Sequence, residues 1–204
     1  ESGGGQIRDR GAHVMSCAMY WMGADGTGPV TVEATGTAPK QGLWDSAVKM
    51  YVTYTFRNPD WTLEWIQDSD AIVPAEERTP DEEKIVRPGY GAVYYGDRGT
   101  FTHWGGDGGT WAERKARLWE PPAGAVDVYK SPGHPQDWFE GIRTGKKTIM
   151  NIEAGVGVAN LTILGNLSYI LGRKLEWDQA KQEIIGDEEA RRMMSRPQRY
   201  PYHL

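Results

Sequence analysis

The clearest pattern along the chain is an alternation of apolar and polar residues over residues 48–57. The apolar members of this pattern are Val48, Met50, Val52, Tyr54 and Phe56. A period of two is typical of a β-strand that buries one face. The following Asn58-Pro59-Asp60 favours a turn, and the alternation resumes over residues 61–65. These features predict two neighbouring antiparallel strands.

Three further segments have strand character. Residues 30–37 begin with alternation, residues 91–104 have the pattern of a hairpin that turns over Gly96 to Gly99, and residues 174–177 are short and apolar at alternate positions. Because neighbouring strands are joined by turns, the sheet is expected to be antiparallel. The predicted fold class is α+β, an open and mainly antiparallel sheet with helices packed on one face.

Apolar residues at helical spacing predict four helices, at about residues 8–22, 136–143, 152–171 and 187–194. Gly23, Gly145 and Gly172 follow the first three, where glycine commonly ends a helix. In the longest helix, the polar residues favour a core helix over a membrane span. Its predicted core face consists of Val156, Ala159, Ile163, Leu167 and Ile170. Residues 68–90 are acidic and rich in proline, which predicts a surface loop.

Aromatic residues crowd the predicted strands, and their positions place them on both faces of the sheet. They are Tyr51, Tyr54, Trp61, Trp65, Tyr94, Tyr95 and Trp104. Three interpretations are open. These side chains form the core, they cover a contact with a second copy of the chain, or some of them stack on sugar rings.

Composition and charge narrow the class of protein. The 204 residues are 39% hydrophobic and 25% charged, which fits a globular chain that neither spans nor binds a membrane, and residues 1–204 are expected to form a single domain. The net charge of −5 argues against a nucleic-acid partner. The single cysteine, Cys17, excludes an intrachain disulfide, and the four histidines lack a metal-ligand spacing. No signal-peptide pattern is present, and both a cytoplasmic and a periplasmic location stay open.

The residue pair with the most chemical potential is Asp9 and His13, four positions apart in the first predicted helix. A carboxylate beside an imidazole can orient it and hold its charged form, which suits proton transfer. A solvated pair or a helix cap is the alternative. His134, in a loop that Pro132 and Pro135 make rigid, is by itself typical of a surface hydrogen-bonding residue.

No glycine-rich turn between a strand and a helix is present. The glycine-rich run at residues 105–109 has no strand–helix pair around it, so a turn is favoured over a phosphate-binding loop. We therefore expect that this chain binds neither NAD nor NADP by itself.

Two stretches of the chain resemble the C-terminal domain of the Gfo/Idh/MocA oxidoreductases, in its bacterial branch. The first is residues 3–13. The second includes Ser131-Pro132-Gly133-His134, Asp137-Trp138-Phe139, Ile142 to Lys147, Gly165-Asn166-Leu167, Leu171 to Asp178, Gly186 to Ala190 and Ser195-Arg196-Pro197. In this family an N-terminal Rossmann domain binds NAD or NADP. The C-terminal domain closes the active site and mediates oligomerisation.

The resemblance implies a sugar or polyol substrate and a homo-oligomer formed through the sheet face. Asp9 and His13 match a family motif of the sugar-binding and proton-relay site, with His13 as general base and Asp9 as its orienting partner. Arg8, Trp104 and His134 are expected to contact substrate.

This chain also departs from the family pattern. Ser16, Val156-Gly157 and Ile163 stand where relatives often carry ionisable residues. Each departure removes a polar group that could touch a substrate or cofactor.

Two functions follow as hypotheses. In the first, the chain is the substrate-binding and oligomerisation domain of an NAD(P)-dependent sugar or polyol oxidoreductase, inactive in redox chemistry by itself. In the second, it is a stand-alone carbohydrate-binding or assembly module without turnover.

Overall fold

A computed structural model describes residues 4–68, 78–79, 81–86, 89–105, 109–125 and 129–201. The chain divides into two compact units. The first unit consists of Glu1–Pro74 and Gly157–Leu204, and the second of Ala75–Val156. The expectation of one domain over residues 1–204 stays a prediction.

Six helices and eight strands make up the described part of the chain. In chain order they are α1 (Gly5–Arg8), α2 (Arg10–Trp21), β1 (Thr31–Thr37), β2 (Lys49–Phe56), β3 (Trp61–Gln67), β4 (Gly91–Gly96), β5 (Gly99–Trp104), β6 (Thr110–Ala112), α3 (Arg114–Arg117), α4 (His134–Thr144), α5 (Ile152–Leu171), β7 (Leu175–Asp178), β8 (Glu183–Ile185) and α6 (Glu188–Met193). The predicted α+β class with open antiparallel sheets is confirmed, with two sheets in place of one.

The first unit contains a five-stranded antiparallel sheet of order β3-β2-β1-β7-β8. The period-two pattern of β2 is confirmed, because Met50, Val52, Tyr54 and Phe56 are each at most 2% exposed. Val48 lies before the strand and is exposed. Directly opposite residues share a face of the sheet, so the core extends to the cross-strand neighbours of Tyr54, which are Val32 and Leu63.

The strand register places aromatic residues on both faces of this sheet, as predicted, and most of them on the core face. Trp61 lies opposite Phe56 and Trp65 opposite Val52, so both indoles are on the core face. The rings of Phe56 and Trp61 stack with their centroids 4.1 Å apart. Tyr51 occupies the opposite, open face and is 39% exposed.

The bounds of α5 are confirmed, but of its five predicted core residues only Leu167 is buried. Val156 and Ile170 of that face are 43% and 62% exposed. The buried residues are Ala154, Gly157, Val158, Leu161, Thr162, Leu164, Gly165, Leu167 and Ser168. About half of the residues on this buried face are small or polar. Because large apolar residues occur all round the helix, their spacing does not indicate which side is buried.

Close packing on the sheet explains why small residues lie on the buried face of α5. A Cβ atom added to Gly165 would lie 2.4 Å from the Tyr54 hydroxyl and 3.4 Å from Val52 Cγ1. The Tyr54 hydroxyl also donates to the Leu161 carbonyl at 2.8 Å. The length and composition of α5 would allow it to cross a membrane. Its polar residues therefore do not by themselves exclude a membrane span. Half of its most apolar stretch is buried inside the protein, as in a core helix.

Gly23 ends α2 as predicted. It has φ +61°, and its N–H donates to the Tyr20 carbonyl while the next N–H, of Ala24, donates to that of Met19. This pair of bonds is a Schellman motif, which requires a left-handed residue and therefore favours glycine.

The second unit contains a three-stranded antiparallel sheet of order β4-β5-β6. The predicted hairpin over residues 91–104 is confirmed, with Gly96 paired to Gly99. The acidic segment is only partly described, since residues 69–77, 80 and 87–88 lie outside the described ranges. Within it, Arg78, Asp81, Glu82, Lys84 and Val86 are exposed, as expected of a surface loop, whereas Thr79 and Ile85 are buried and anchor it.

Candidate functional site

The predicted catalytic pair lies at the corner between α1 and α2. Asp9 is the residue at which the two helices meet, because its backbone (φ −82°, ψ −84°) leaves the helical region. Buried Ile7 on one side and buried Val14 and Met15 on the other fix the corner. The anchoring apolar residues therefore point inward, and the intervening polar residues face solvent.

Arg8, Asp9 and His13 all lie at this corner with accessible side chains, and Arg8 and Asp9 are exposed. Asp9 is the N-cap residue of α2, as the helix-cap interpretation has it, but its carboxylate makes no capping hydrogen bond to the helix. Among the described residues, no hydrogen bond or ion pair joins Asp9 and His13. The two side chains are one helical turn apart and are open to a ligand.

Two further residues come close to this corner, and the sequence did not single them out. Asn166 of α5 donates from Nδ2 to the Gly4 carbonyl at 2.8 Å. A Cβ atom on Gly5 would lie 2.8 Å from Ser46 Cβ. Sequence separation hides both contacts, because only the tertiary fold brings residues 46 and 166 to the start of the chain.

The hydroxyl of Ser16 is already used by the backbone. It donates to the His13 carbonyl at 2.7 Å. The residue that stands where the family often has a carboxylate therefore supplies no free donor in this conformation.

Trp104 lies in the second unit, at the end of β5 and opposite Gly91. Its side chain is half-buried, and its backbone N–H donates to the Gly109 carbonyl at 3.0 Å. The neighbouring His103 is 3% exposed. The Tyr94 hydroxyl lies 3.0 Å from His103 Nδ1, and burial lowers the pKa of the imidazole.

His134, also in the second unit, is the first residue of α4 and is exposed. The buried side chain of this helix is Asp137. Its carboxylate accepts hydrogen bonds from the Tyr129 hydroxyl and from the Ile149 N–H. These bonds, the one from Tyr129 first, hold the pKa of Asp137 below its usual range, and the charge of His134 acts in the same direction.

In the described ranges, no three residues of the His, Cys, Asp and Glu types group closely enough to hold a metal ion.

The motifs near the C-terminus have a structural role. Arg173 donates to both oxygens of Asp187 and to Glu189 at 2.7 Å. Asp187 also caps α6 by accepting from the Ala190 N–H at 3.0 Å. This arrangement ties the end of α5 to the start of α6.

Comparison with known families finds a match for residues 105–204. Residues 105–204 match the family described as "Oxidoreductase family, C-terminal alpha/beta domain". The resemblance to the C-terminal domain of this oxidoreductase family is thus confirmed, and residues 105–204 belong to it. No curated protein matches the chain.

Two solved structures are similar to the chain. One is a candidate oxidoreductase, yvaA, from Bacillus subtilis, with 16% identity, a TM-score of 0.49, and coverage of 85% of this chain and 53% of that one. The other is a candidate oxidoreductase from Bacteroides fragilis, with 14% identity, a TM-score of 0.46, and coverage of 86% and 52%. The chain spans about half the length of either protein.

Proposed function

We propose that this chain is the substrate-facing part of an NAD(P)-dependent oxidoreductase that acts on a sugar or a polyol. The observation that carries the proposal is the match of residues 105–204 to an oxidoreductase C-terminal domain. The α1–α2 corner adds an accessible carboxylate and an accessible imidazole that no described contact occupies.

In this proposal His13 accepts the proton of the substrate hydroxyl, because a neutral imidazole near pH 7 is a suitable base. Asp9, one turn before it, stabilises the resulting imidazolium. Arg8, at the end of α1, donates hydrogen bonds to neighbouring hydroxyl oxygens. For Trp104 and His134, a contact with substrate stays a prediction of the resemblance.

The described residues offer no dinucleotide site of the Rossmann type. Both described sheets are antiparallel, whereas a dinucleotide pyrophosphate is held at the turn of a parallel strand–helix–strand unit. The proposed oxidation therefore requires a cofactor that a separate dinucleotide-binding domain holds, and the chain's own residues contribute substrate binding and proton transfer.

Oligomerisation through the open face of the five-stranded sheet is part of the proposal. Tyr51 and Ile66 lie directly opposite each other on this face and are 39% and 38% exposed. Ile185, on β8, shares the face and is 48% exposed. Exposed aromatic and aliphatic side chains on a polar sheet face are typical of interfaces.

Calorimetry on the chain tests the proposal, using a panel of sugars and polyols and, separately, NAD(H) and NADP(H). We expect binding of at least one hydroxylated ligand, loss of that binding in His13→Ala, and retention in Gln6→Ala, an exposed control on α1. Neither nucleotide is expected to bind. Tight nucleotide binding, or ligand binding that His13→Ala leaves intact, would contradict the proposal.

A binding or assembly module without redox chemistry is the second candidate. It is favoured by Ser16, whose hydroxyl is bonded to the backbone, so that α2 offers one fewer group for proton relay. Ligand-dependent reduction of NAD or NADP, measured with a dinucleotide-binding domain present, separates the two candidates.

A further inference from the structure

The helix α4 is inverted with respect to the usual burial pattern. Its one fully buried side chain is the carboxylate of Asp137. Its three largest apolar side chains, Trp138, Phe139 and Ile142, are 59%, 59% and 66% exposed. Large apolar side chains normally bury on the core side of a surface helix, so this outward face requires an explanation.

The hydrogen bonds of Asp137 fix the rotation of α4. The carboxylate accepts from the Tyr129 hydroxyl and, at 2.8 Å, from the backbone N–H of Ile149. Turning the helix to bury Trp138 would break both bonds, and bonds to a charged acceptor are costly to lose. The apolar face is therefore held outward by the structure.

The exposed patch continues from α4 onto the segment that follows it. Ile152 is 75% exposed and Met150 41%. A shallow groove of about 420 Å³ runs between α4 and this segment, with Trp138, Ile142 and Ile152 among its lining residues. We call Trp138, Phe139, Ile142, Met150 and Ile152 the α4 patch. Tryptophan, phenylalanine and methionine are types that interfaces favour.

We propose that the α4 patch binds the α4 patch of a second copy of this chain across a two-fold axis. Two observations favour a second copy as the occupant. The first is the charge around the patch, and the second is its area.

The charges around the patch are of both signs. Lys147 pairs with Glu153 at 3.1 Å, and Glu140 and Arg143 stand three positions apart on α4. A two-fold contact joins the same surface on both copies, so a rim of mixed sign can match itself. A strongly acidic or strongly basic partner would leave half of these charges opposed by like charge.

The area of the patch is that of a modest interface. An aromatic side chain buries about 150–250 Å², so Trp138 and Phe139 at 59% exposure each offer roughly 100–150 Å². With the aliphatic members, the patch reaches roughly the 300–600 Å² that marks the largest patches on monomers. Two copies together approach the lower end of a specific interface, about 1,200 Å² of total buried surface.

Disulfide trapping tests this contact directly. A cysteine near a two-fold axis meets its own copy, so Phe139→Cys and Ile142→Cys should cross-link on mild oxidation. Ile170→Cys on α5 is the matched control, because Ile170 is 62% exposed against 66% for Ile142. We expect cross-linked dimers from at least one α4 variant and none above background from the control.

Sedimentation of unmodified variants provides the second measurement. Trp138→Glu should lower the average mass relative to the parent chain, whereas Trp44→Glu, at a tryptophan that is 81% exposed elsewhere, should not. Equal masses for Trp138→Glu and the parent, together with no cross-linking through either α4 cysteine, would overturn the proposal. In that case another domain or a different protein covers the patch. Ile66→Lys, at a side chain that is 38% exposed on the open sheet face, reports separately on oligomerisation through that sheet.

Discussion

Arg173 and Asp187 form a two-bond ion pair, with Nε to Oδ2 at 2.7 Å and Nη2 to Oδ1 at 3.0 Å. Nη2 also donates to Glu189 at 2.7 Å. The pair joins two of the segments that carry the family resemblance, at Leu171 to Asp178 and Gly186 to Ala190. The charged residues of these two segments therefore bind each other and stabilise the fold.

Replacing Arg173 by lysine should lower Tm. A lysine ammonium cannot reproduce the planar two-bond geometry that the guanidinium makes with a carboxylate. Thermal unfolding monitored by circular dichroism measures the change, and the neighbouring Lys174→Arg is the matched control, since Lys174 is exposed. If Arg173→Lys has the same Tm as the control, the two-bond geometry of the Arg173–Asp187 pair does not contribute to stability.

The same pair gives a prediction about pH. The hydrogen bond from Arg173, followed by that from the Ala190 N–H, lowers the pKa of Asp187 to about 2. A carboxyl with a depressed pKa stabilises the fold above its unfolded pKa, near 4, and loses this contribution as the pH falls toward the folded pKa. The difference in unfolding free energy between the parent and Asp187→Asn, measured in urea, should therefore be constant above about pH 5. It should shrink between about pH 5 and pH 2, and a difference independent of pH over that window would contradict the linkage.

Replacing either of two glycines of α5 by alanine should change the stability of the protein in opposite directions. Gly165 has no room, because an added Cβ would meet the Tyr54 hydroxyl at 2.4 Å and Ile7 Cδ1 at 2.9 Å. Gly155 has open space around it, so alanine there should stabilise the helix by about 0.5–1 kcal/mol. Denaturant unfolding measures the free energy of unfolding of Gly165→Ala and of Gly155→Ala. Stabilisation by Gly165→Ala would mean that α5 does not lie against β2 as described.

The Ser168 hydroxyl accepts a backbone hydrogen bond from β1 beyond the point where the pairing with β7 ends. The pairing of β1 with β7 covers only Thr31 and Val32, and the buried Ser168 hydroxyl accepts the next inward N–H, that of Ala34, at 2.9 Å. It donates in turn to the Arg173 carbonyl at 2.8 Å.

Ser168→Ala should therefore cost about 1–3 kcal/mol, the penalty of a buried group left without its partner. Thr162→Val is the control, because the Thr162 hydroxyl bonds within its own helix, to the Ala159 carbonyl. Equilibrium urea unfolding compares the two, and an equal loss in both would remove the special role of Ser168.

His13→Ala should leave Tm nearly unchanged while it abolishes ligand binding. The His13 side chain is accessible and outside the buried core, and a substitution away from packed groups usually changes stability by about 0.5 kcal/mol or less. Differential scanning calorimetry of the variant measures this. A loss of several kcal/mol would assign His13 a structural role.

Local patterns predicted most of the fold because strand alternation and helix-ending glycines act over a few residues. The alternation of β2 specified which side chains are buried, and Gly23 marked the end of α2. The core face of α5 was not predictable in this way. Large apolar residues occur on both sides of the helix, and the side that packs is the one where Gly165 and Ser168 permit close approach to β1 and β2.

The site was predictable only in part, for a similar reason. The spacing of Asp9 and His13 places them one turn apart, and the structure adds that neither is buried. The approach of Asn166 and Ser46 to the same corner depends on contacts across more than thirty positions of the chain, which no local pattern encodes. The inversion of α4 depends likewise on Tyr129 and Ile149.

The most direct measurement is a nuclear magnetic resonance titration of the His13 imidazole with sugars and polyols. We predict that a hydroxylated ligand shifts the ring signals of His13, and that Asp9→Asn weakens the response while Gln6→Ala does not. Ligands that bind the chain without moving the His13 signals, or a panel that binds nowhere, would contradict a substrate site at the corner of α1 and α2.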